Sequence, residues 1–497
     1  MKNKRIIAVA LAAVLSGCAI QPEALTQDEM VSFAEANLNA LAADQEPISG
    51  PVSLYEAMAR ALKYNLDFRV ERMKQALAMG DAELKSWDML PSLVAKAGYS
   101  GRSNEPGGSS ENIITGAQSL APSKSTEKET LTANLQFSWD ILDFGLSYVR
   151  AQQAADKALI AQERTRKVVN RIIEDVRASF WRAASAQRLN SAMRRLRKRV
   201  RKALANTRRQ SRSRQTEPLA ALTYERELVS IKRQLAELQR DLHTAKAQLA
   251  LLMNVAPGTS FTLAVPRRRP TGLKIGKDPQ RLIAIALQNR PELREQAYRL
   301  RINVKEADAA VLELLPGINL YAGLDWDSNK YLYNNHWVSW GAKAAWNLFR
   351  VFRYPARQRV IKAREEVIKA QAQALAMAII AQVHISRVRY LYQRHVFRSA
   401  HEYFDVQRRI LNQIRAAAMN EVASEQSLIR EQMNTVLAAV KYDVAYADLQ
   451  NAIANVYASL GLDPYDGPVS TDMSVKELAA ALRRAWEKPM RLARVNG

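Results

Sequence analysis

Residues 131–145 read LTANLQFSWDILDFG, and the fold of the whole chain turns on them. Leu131, Ala133, Leu135, Phe137 and Trp139 alternate with Thr132, Asn134, Gln136 and Ser138, the two-residue period of a strand with one apolar and one polar face. Then the period changes. From Tyr148 to Arg214 there is no Pro or Gly, and Leu189, Met193, Leu196, Val200 and Leu204 step by three or four. The pattern predicts a strand that feeds a very long helix, and at about 1.5 Å per residue that helix reaches on the order of 100 Å.

The same text is written twice. Trp139 falls on Trp346, Val176 on Val383 and Pro257 on Pro464, all at a spacing of 207 residues. Upstream, Ala61-Leu62 falls on Ala286-Leu287, Leu90-Pro91 on Leu315-Pro316 and Gly98 on Gly323, at a spacing of 225. The difference is absorbed in one polar loop, which runs from about Arg102 to Thr130 in the first copy and from about Ser328 to Trp337 in the second. This is a tandem duplication. Each copy reads helix, strand, loop, strand, long helix, turn, long helix.

The other strands follow the same rule. Leu93, Ala95, Ala97 and Tyr99 alternate with polar or small residues, with Val94 out of pattern; Ile318, Leu320, Ala322, Leu324 and Trp326 form one face of a third strand; Val338, Trp340, Ala342, Ala344 and Trp346 form one face of a fourth. Nine or ten alternating residues suit a tilted membrane strand, and the tryptophans near the ends suit an interfacial girdle. The alternative is a soluble sandwich. Four strands cannot close a barrel with a lumen, for which about eight are needed, so a membrane reading requires several chains. The return helix carries Leu228, Ile231, Leu235, Leu238, Leu242, Ala245, Leu249 and Leu252 at coiled-coil spacing, and the second copy replaces them by Thr435, Ala438, Tyr442, Ala445, Leu449, Ala452, Val456 and Ser459.

The start of the chain is an address. Lys2, Lys4 and Arg5 precede an apolar run from Ile6 to Leu15 that is too short to span a bilayer. It ends at Leu15-Ser16-Gly17-Cys18, which resembles the lipobox of bacterial lipoproteins, and Cys18 is the only cysteine. That resemblance implies lipidation at Cys18, and Ala19 after it implies the outer membrane. No later segment reads as a transmembrane helix; the most apolar, Ala374 to Val383, contains Gln382. The formal charge is +24, and removal of the leader leaves +21. In the cytosol this would suggest nucleic acid; a secretory leader makes that reading, and that of a structural coiled coil, the weaker one.

Together these features resemble the TolC-like outer-membrane factor (outer membrane efflux protein) family, lipoprotein type. The residues that carry it are the two Leu-Pro pairs, the run Trp139-Asp140-Ile141-Leu142-Asp143-Phe144-Gly145, its altered second version Trp346-Asn347-Leu348-Phe349-Arg350-Val351-Phe352, the opening Ala61, Leu62 and Asn65, and the close Leu460-Gly461-Leu462. The resemblance spans about Leu54 to Pro464. It implies a mainly α chain with membrane β: a long α-helical coiled-coil barrel plus four strands per chain, joined in a homotrimer with a twelve-stranded barrel. It also implies a periplasmic adaptor, an inner-membrane pump and contact with outer-membrane lipids, in efflux of small solutes or, alternatively, as the exit duct of type I protein secretion.

The expected organisation is a signal peptide over 1–17, a lipidated linker over 18–51, a first repeat over 52–257, a linker over 258–278, a second repeat over 279–464 and a basic tail over 465–497. The tail predicts a short helix from about Val475 to Arg494 against the waist. Thr132, Asn134, Gln136, Ser138 and Lys343 are candidate barrel-lumen residues. The hairpin turns are candidates for a periplasmic entrance or an adaptor-docking patch. Residues Arg194 to Arg214 hold eleven Lys or Arg and no acid, so Arg208, Arg209, Arg212 and Arg214 form a basic first tip against a more acidic second tip of Glu421, Glu425 and Glu431. Unlike charges on equivalent turns suggest pairing around a closed entrance. The family's acidic tip positions fall here on Ser427 and Arg430, and in the first copy on Ala220 and Thr223, so an aspartate ring is not expected. His243, His336, His384, His395 and His401 are scattered and match no metal spacing. Neither a cofactor, nor a metal, nor an enzymatic activity is expected, and nucleic acid is not an expected partner.

Overall fold

The computed structural model describes residues 23–42, 45–119, 121–212, 217–256, 259–265, 278–420, 422–462 and 473–487, without the side chains of 42, 210–212, 238, 241–243 and 487. The expected leader, Cys18 and the inter-repeat linker from 266 to 277 lie outside them. Helix α1 (Gln27–Ala42) opens the described chain with a capping box, in which Thr26 and Glu29 satisfy each other's backbone N–H groups. It stands in the stretch expected to be a plain tether.

Each repeat begins with two helices where one was expected. In the first, α2 (Leu54–Tyr64) and α3 (Leu66–Trp87) meet at Asn65; in the second, α6 (Pro279–Asn289) and α7 (Pro291–Leu312) meet at Arg290. Asn65 and Arg290 share an extended backbone (φ −65°, ψ 127° and φ −66°, ψ 126°). The Asn65 side chain caps α3 by accepting from Phe68 N, whereas Pro291 starts α7 without a side-chain cap. Ser53 and Asp278, equivalent in the duplication, cap α2 and α6.

The strands come next: β1 (Ser92–Gly101), a short ribbon of β2 (Gly107–Gly108) and β3 (Ser123–Lys124) inside the polar loop, then β4 (Glu129–Asp140), with β5 (Gly317–Asp327) and β6 (His336–Ala345) in the second repeat. The main sheet is antiparallel in the order β1-β4-β5-β6. Among the described residues, β1 and β6 each keep an unpaired edge.

The long helices are α4 (Ile141–Arg212), α5 (Pro218–Leu252), α8 (Phe349–Met419) and α9 (Glu425–Ser459). The bounds of α5 and α9 differ by the duplication spacing at both ends. At 72 residues α4 is about 110 Å long. Asp140 starts it by accepting from the backbone N–H groups of Leu142 and Asp143, both at 3.0 Å. Below the sheet the helices stand in the row α3-α4-α7-α8, and further down in the row α5-α4-α9-α8.

Two cores hold this together. The lower one packs Leu189, Met193, Leu196, Val200 and Leu204 of α4 against Leu228, Ile231 and Leu235 of α5 and Ile429, Met433 and Val436 of α9. The larger one circles the waist, where Met58 and Leu62 of α2, Val176 and Phe180 of α4, Tyr390 of α8 and Leu449 and Val456 of α9 are buried. The small residues expected on α9 let it sit centrally: Ala438, Ala445, Ala452 and Ser459 are all buried between α4 and α8. The closing turns are equivalent as well. Asn254 and Gly461 both take positive φ, 54° and 65°, and a Cβ at Gly461 would stand 2.6 Å from the carbonyl carbon of Asn289.

The tail helix α10 (Val475–Glu487) packs on α2 at the waist, with Leu478 and Leu482 fully buried. The expected continuation to Arg494 lies outside the described residues. Glu46 accepts from Val475 N and from Lys63 Nζ, and Lys63 also donates to Met473 O, so one end of α10 is tied to the start of the first repeat.

Candidate functional site: the strand faces and the hairpin tips

The sheet has two chemically distinct faces. On one stand Leu131, Leu135, Phe137 and Trp139 of β4, Ile318, Leu320, Leu324 and Trp326 of β5, and Val338 and Trp340 of β6, all exposed. The register puts like beside like: Leu135 opposite Leu324, Leu324 opposite Val338, Phe137 opposite Leu93. Such a face is stable in water only if something apolar covers it. Trp139 continues it onto the helix, with its ring edge-on to Phe144 at 5.7 Å.

The opposite face is polar and internally bonded. Asp325 accepts from Asn134 Nδ2 and from Ser339 Oγ, each at 2.5 Å, across three strands. Gly323 leaves room for this cluster, since a Cβ there would meet Ser339 Oγ at 3.1 Å and Asn134 Nδ2 at 3.3 Å. The hydroxyls of Ser138 and Ser92 are bonded at 2.6 Å, and Lys343 lies over the Tyr321 ring at 4.9 Å. Thr132 bonds back to Gly98 O, and Gln136 lies opposite Gly323. The five residues expected to line a lumen thus share one face.

At the far end of the helices the described tip side chains bond both within and between the hairpins. Arg208 Nε donates to Glu225 at 2.7 Å, inside its own hairpin, and Arg209 Nη2 donates to Asn206. Glu431 accepts from Gln407 at 2.5 Å, also inside its own hairpin. The bond between hairpins runs from Arg430 of α9 to Glu227 of α5, bidentate at 2.5 and 2.8 Å, with Gln426 donating to the same carboxylate at 3.1 Å. Those hydrogen bonds hold Glu227 below the ordinary carboxylate range and raise Arg430. Burial raises the Tyr224 phenol, and the nearby Glu425 and Glu227 add to it. The side chain of Arg212, Arg214 and Glu421 lie outside the described residues.

Among the described residues no helix is long and apolar enough to cross a membrane, and no group of three or more His, Cys, Asp or Glu could hold a metal ion. Residues 57–255, the first repeat, match the family model described as outer membrane efflux protein. That match covers less than half of the chain and likens this stretch to the family.

Solved structures carry the same fold over most of the chain. The CmeC outer membrane channel of Campylobacter jejuni aligns with a TM-score of 0.64 at 12% identity, covering 94% of this chain and 93% of that one. The open state of the MtrE outer membrane channel of Neisseria gonorrhoeae gives 0.62 at 16%, covering 85% and 95%. CusC, described through its transmembrane channel formation, gives 0.63 at 18%, covering 85% and 96%. No curated protein matches.

The tip holds a contact that the sequence reading did not name. Sequence reasoning set a basic first hairpin against an acidic second one. At the tip an ion pair between the hairpins has its acid, Glu227, on the first and its base, Arg430, on the second, whereas further from the tip Arg188 of the first meets Asp443 of the second. The repeat register contained a signal: Arg430 matches position 223, one helical turn from Glu227. That relation becomes a contact only when the two hairpins are packed.

Proposed function

We propose that this chain is the outer-membrane channel subunit of a tripartite export system. As a lipid-anchored homotrimer it passes drugs or other small solutes from an inner-membrane pump and a periplasmic adaptor to the cell exterior. One observation carries the reading: a four-stranded sheet with an apolar face and two open edges surmounts helices about 110 Å long. Hydrocarbon accepts β structure only when no edge is left open, so neighbouring copies supply the missing pairs. The relatives described as outer membrane channels support the same assignment.

In this reading the apolar face meets lipid, and Thr132, Asn134, Gln136, Ser138 and Lys343 line the passage. Cys18 carries the lipid. Arg208, Arg209, Arg212, Arg214, Glu421, Glu425 and Glu431 stand at the periplasmic entrance, where adaptor hairpins of complementary charge dock and compete with bonds such as Arg430–Glu227.

Deletion of the gene should sensitise its host to toxic small solutes, and the purified protein should open conducting pores in planar bilayers. Unchanged susceptibility together with loss of a secreted protein would move the channel to protein secretion. Absence of any pore would reject the channel itself. Cys18→Ala should abolish incorporation of radiolabelled palmitate.

A further inference from the structure

The waist holds hydrogen-bond donors that lack acceptors. Between α4, α9 and α10, the Nε of Arg177 and the indole N–H groups of Trp181 and Trp486 are buried and, among the described residues, have no hydrogen-bond partner. Arg177 and Trp181 are four residues apart on α4, so they share one face of the helix, and they are 4% and 6% exposed. Trp486 closes the set from α10, with its ring centre 4.1 Å from the Arg177 guanidinium. Buried N–H groups in folded proteins almost always find an acceptor, and three orphans at one place call for one.

Nothing described beside these donors is negative. The titratable groups that face Arg177 are the phenols of Tyr55, Tyr446 and Tyr457, neutral at physiological pH, and burial raises Tyr457 further. Gln450 Oε1 accepts from Arg177 Nη2 at 3.4 Å, a long bond to a neutral amide. The walls are aromatic: Tyr446 stands at 89° to Trp181 with centroids 4.9 Å apart, and Tyr457 at 90° to Trp486 with centroids 6.0 Å apart. Other arginines with buried contacts are neutralised. Arg60, 3% exposed, pairs with Glu56 and donates to Glu46 O and Pro47 O, and Arg188 meets Asp443. The second repeat has no such set, since Arg177 and Trp181 become His384 and Val388, both exposed.

We infer that Arg177, Trp181 and Trp486 bind a small inorganic anion of halide size at the waist, Arg177 supplying the charge and the two indoles their N–H groups. Two features set the class of ligand. The guanidinium and the indoles only donate, so the ligand accepts; a water also accepts, but it brings no charge to set against a buried cation. Depth sets the size, because residues this covered admit a small ion and not a carboxylate carried on a larger molecule. The anion neutralises a cation that the rings and the amide only solvate, and so ties α10 to α4 and α9. The inference is independent of the channel reading.

The test is a thermal melt of the full-length protein in detergent, with gluconate exchanged for chloride at fixed ionic strength so that screening stays constant. The midpoint should rise with chloride and level off, as binding at one site of the folded state requires. Arg177→Met removes the charge and keeps the shape, and should lose this dependence. Trp486→Phe keeps a ring on the guanidinium and deletes one donor, so it should need about tenfold more chloride for the same rise. In crystals grown in bromide, the anomalous signal should place the ion beside Arg177 Nε. A midpoint indifferent to chloride, a dependence that survives in Arg177→Met, an unshifted response in Trp486→Phe, or bromide found only elsewhere would overturn the inference. If Arg177→Met does not fold, the Trp486→Phe titration and the bromide position still decide it.

Discussion

Arg177 is a buried cation held by rings and an amide. It lies in α4 at 4% exposure, its guanidinium 4.1 Å from the Trp486 ring centre of α10, with Gln450 Oε1 accepting from Nη2 at 3.4 Å. Among the described residues it has no carboxylate partner, and burial pushes its pKa down to about 10, so it keeps its charge at neutral pH. Trp486→Ala should cost about 2 kcal/mol or more through the lost cation–π contact and should loosen α10, seen as faster hydrogen exchange over 475–486. Arg177→Met should cost less than Trp486→Ala in a thermal melt, because it removes the desolvated charge while keeping the shape. The reverse ranking would mean that the charge itself organises the waist.

At the tip the relevant residues are Arg430, which is exposed, and Glu227, which is partly so, and their solvent-screened pair contributes about 0–1 kcal/mol. The Glu227 pKa is lowered in the fold, so its contribution is complete above the ordinary glutamate range and is lost as pH falls through the lowered value. Single-channel conductance should therefore be unaffected by this pair between neutral pH and pH 5.5. Glu227→Arg should raise conductance, and adding Arg430→Glu should bring it back. A double variant no different from the single one would show that the pair does not bridge the hairpins in the working channel.

Elements behave as the sequence periods require, and the sheet offers the sharpest contrast. Leu324 and Asp325 are neighbours in β5 but point to opposite faces. Leu324→Arg should cost about 2–4 kcal/mol if its face lies in hydrocarbon, and should deplete assembled protein from the outer membrane. Asn134→Arg on the polar face should leave assembly intact and shift ion selectivity. Equal assembly of the two variants would contradict the assignment of faces.

These elements also mark how much was legible beforehand. Alternation and the repeat spacing located all four main strands, because a face that must meet one solvent forces every second residue to agree. The seams of the return arms, Leu228 to Leu252 and Thr435 to Ser459, end where α5 and α9 end, while the helices start ten residues before them, at Pro218 and Glu425. The breaks at Asn65 and Arg290 were missed although both carry a local signal: Asn65 is a capping residue type, and Arg290 precedes Pro291, which biases it away from the helical region. Helix α1 and the β2–β3 ribbon carry weak patterns with no buried stripe. The Arg430–Glu227 bond depends on how one hairpin leans on the other, which no one-dimensional period encodes.

At the scale of the molecule the protomer is an open piece of wall. It has an apolar face that water does not tolerate and sheet edges without partners among the described residues. Gly461 sits where the second repeat closes against Asn289 and Arg290, so Gly461→Ala should lower the melting temperature of the assembled particle through both strain and backbone overlap. An unchanged melt would mean that this junction yields freely.

The central claim is that the chain completes its barrel only with other copies of itself. Native mass spectrometry of the protein extracted in mild detergent tests it directly. The account predicts a particle of three chains that precipitates when detergent is withdrawn. A single chain that remains soluble without detergent would contradict it.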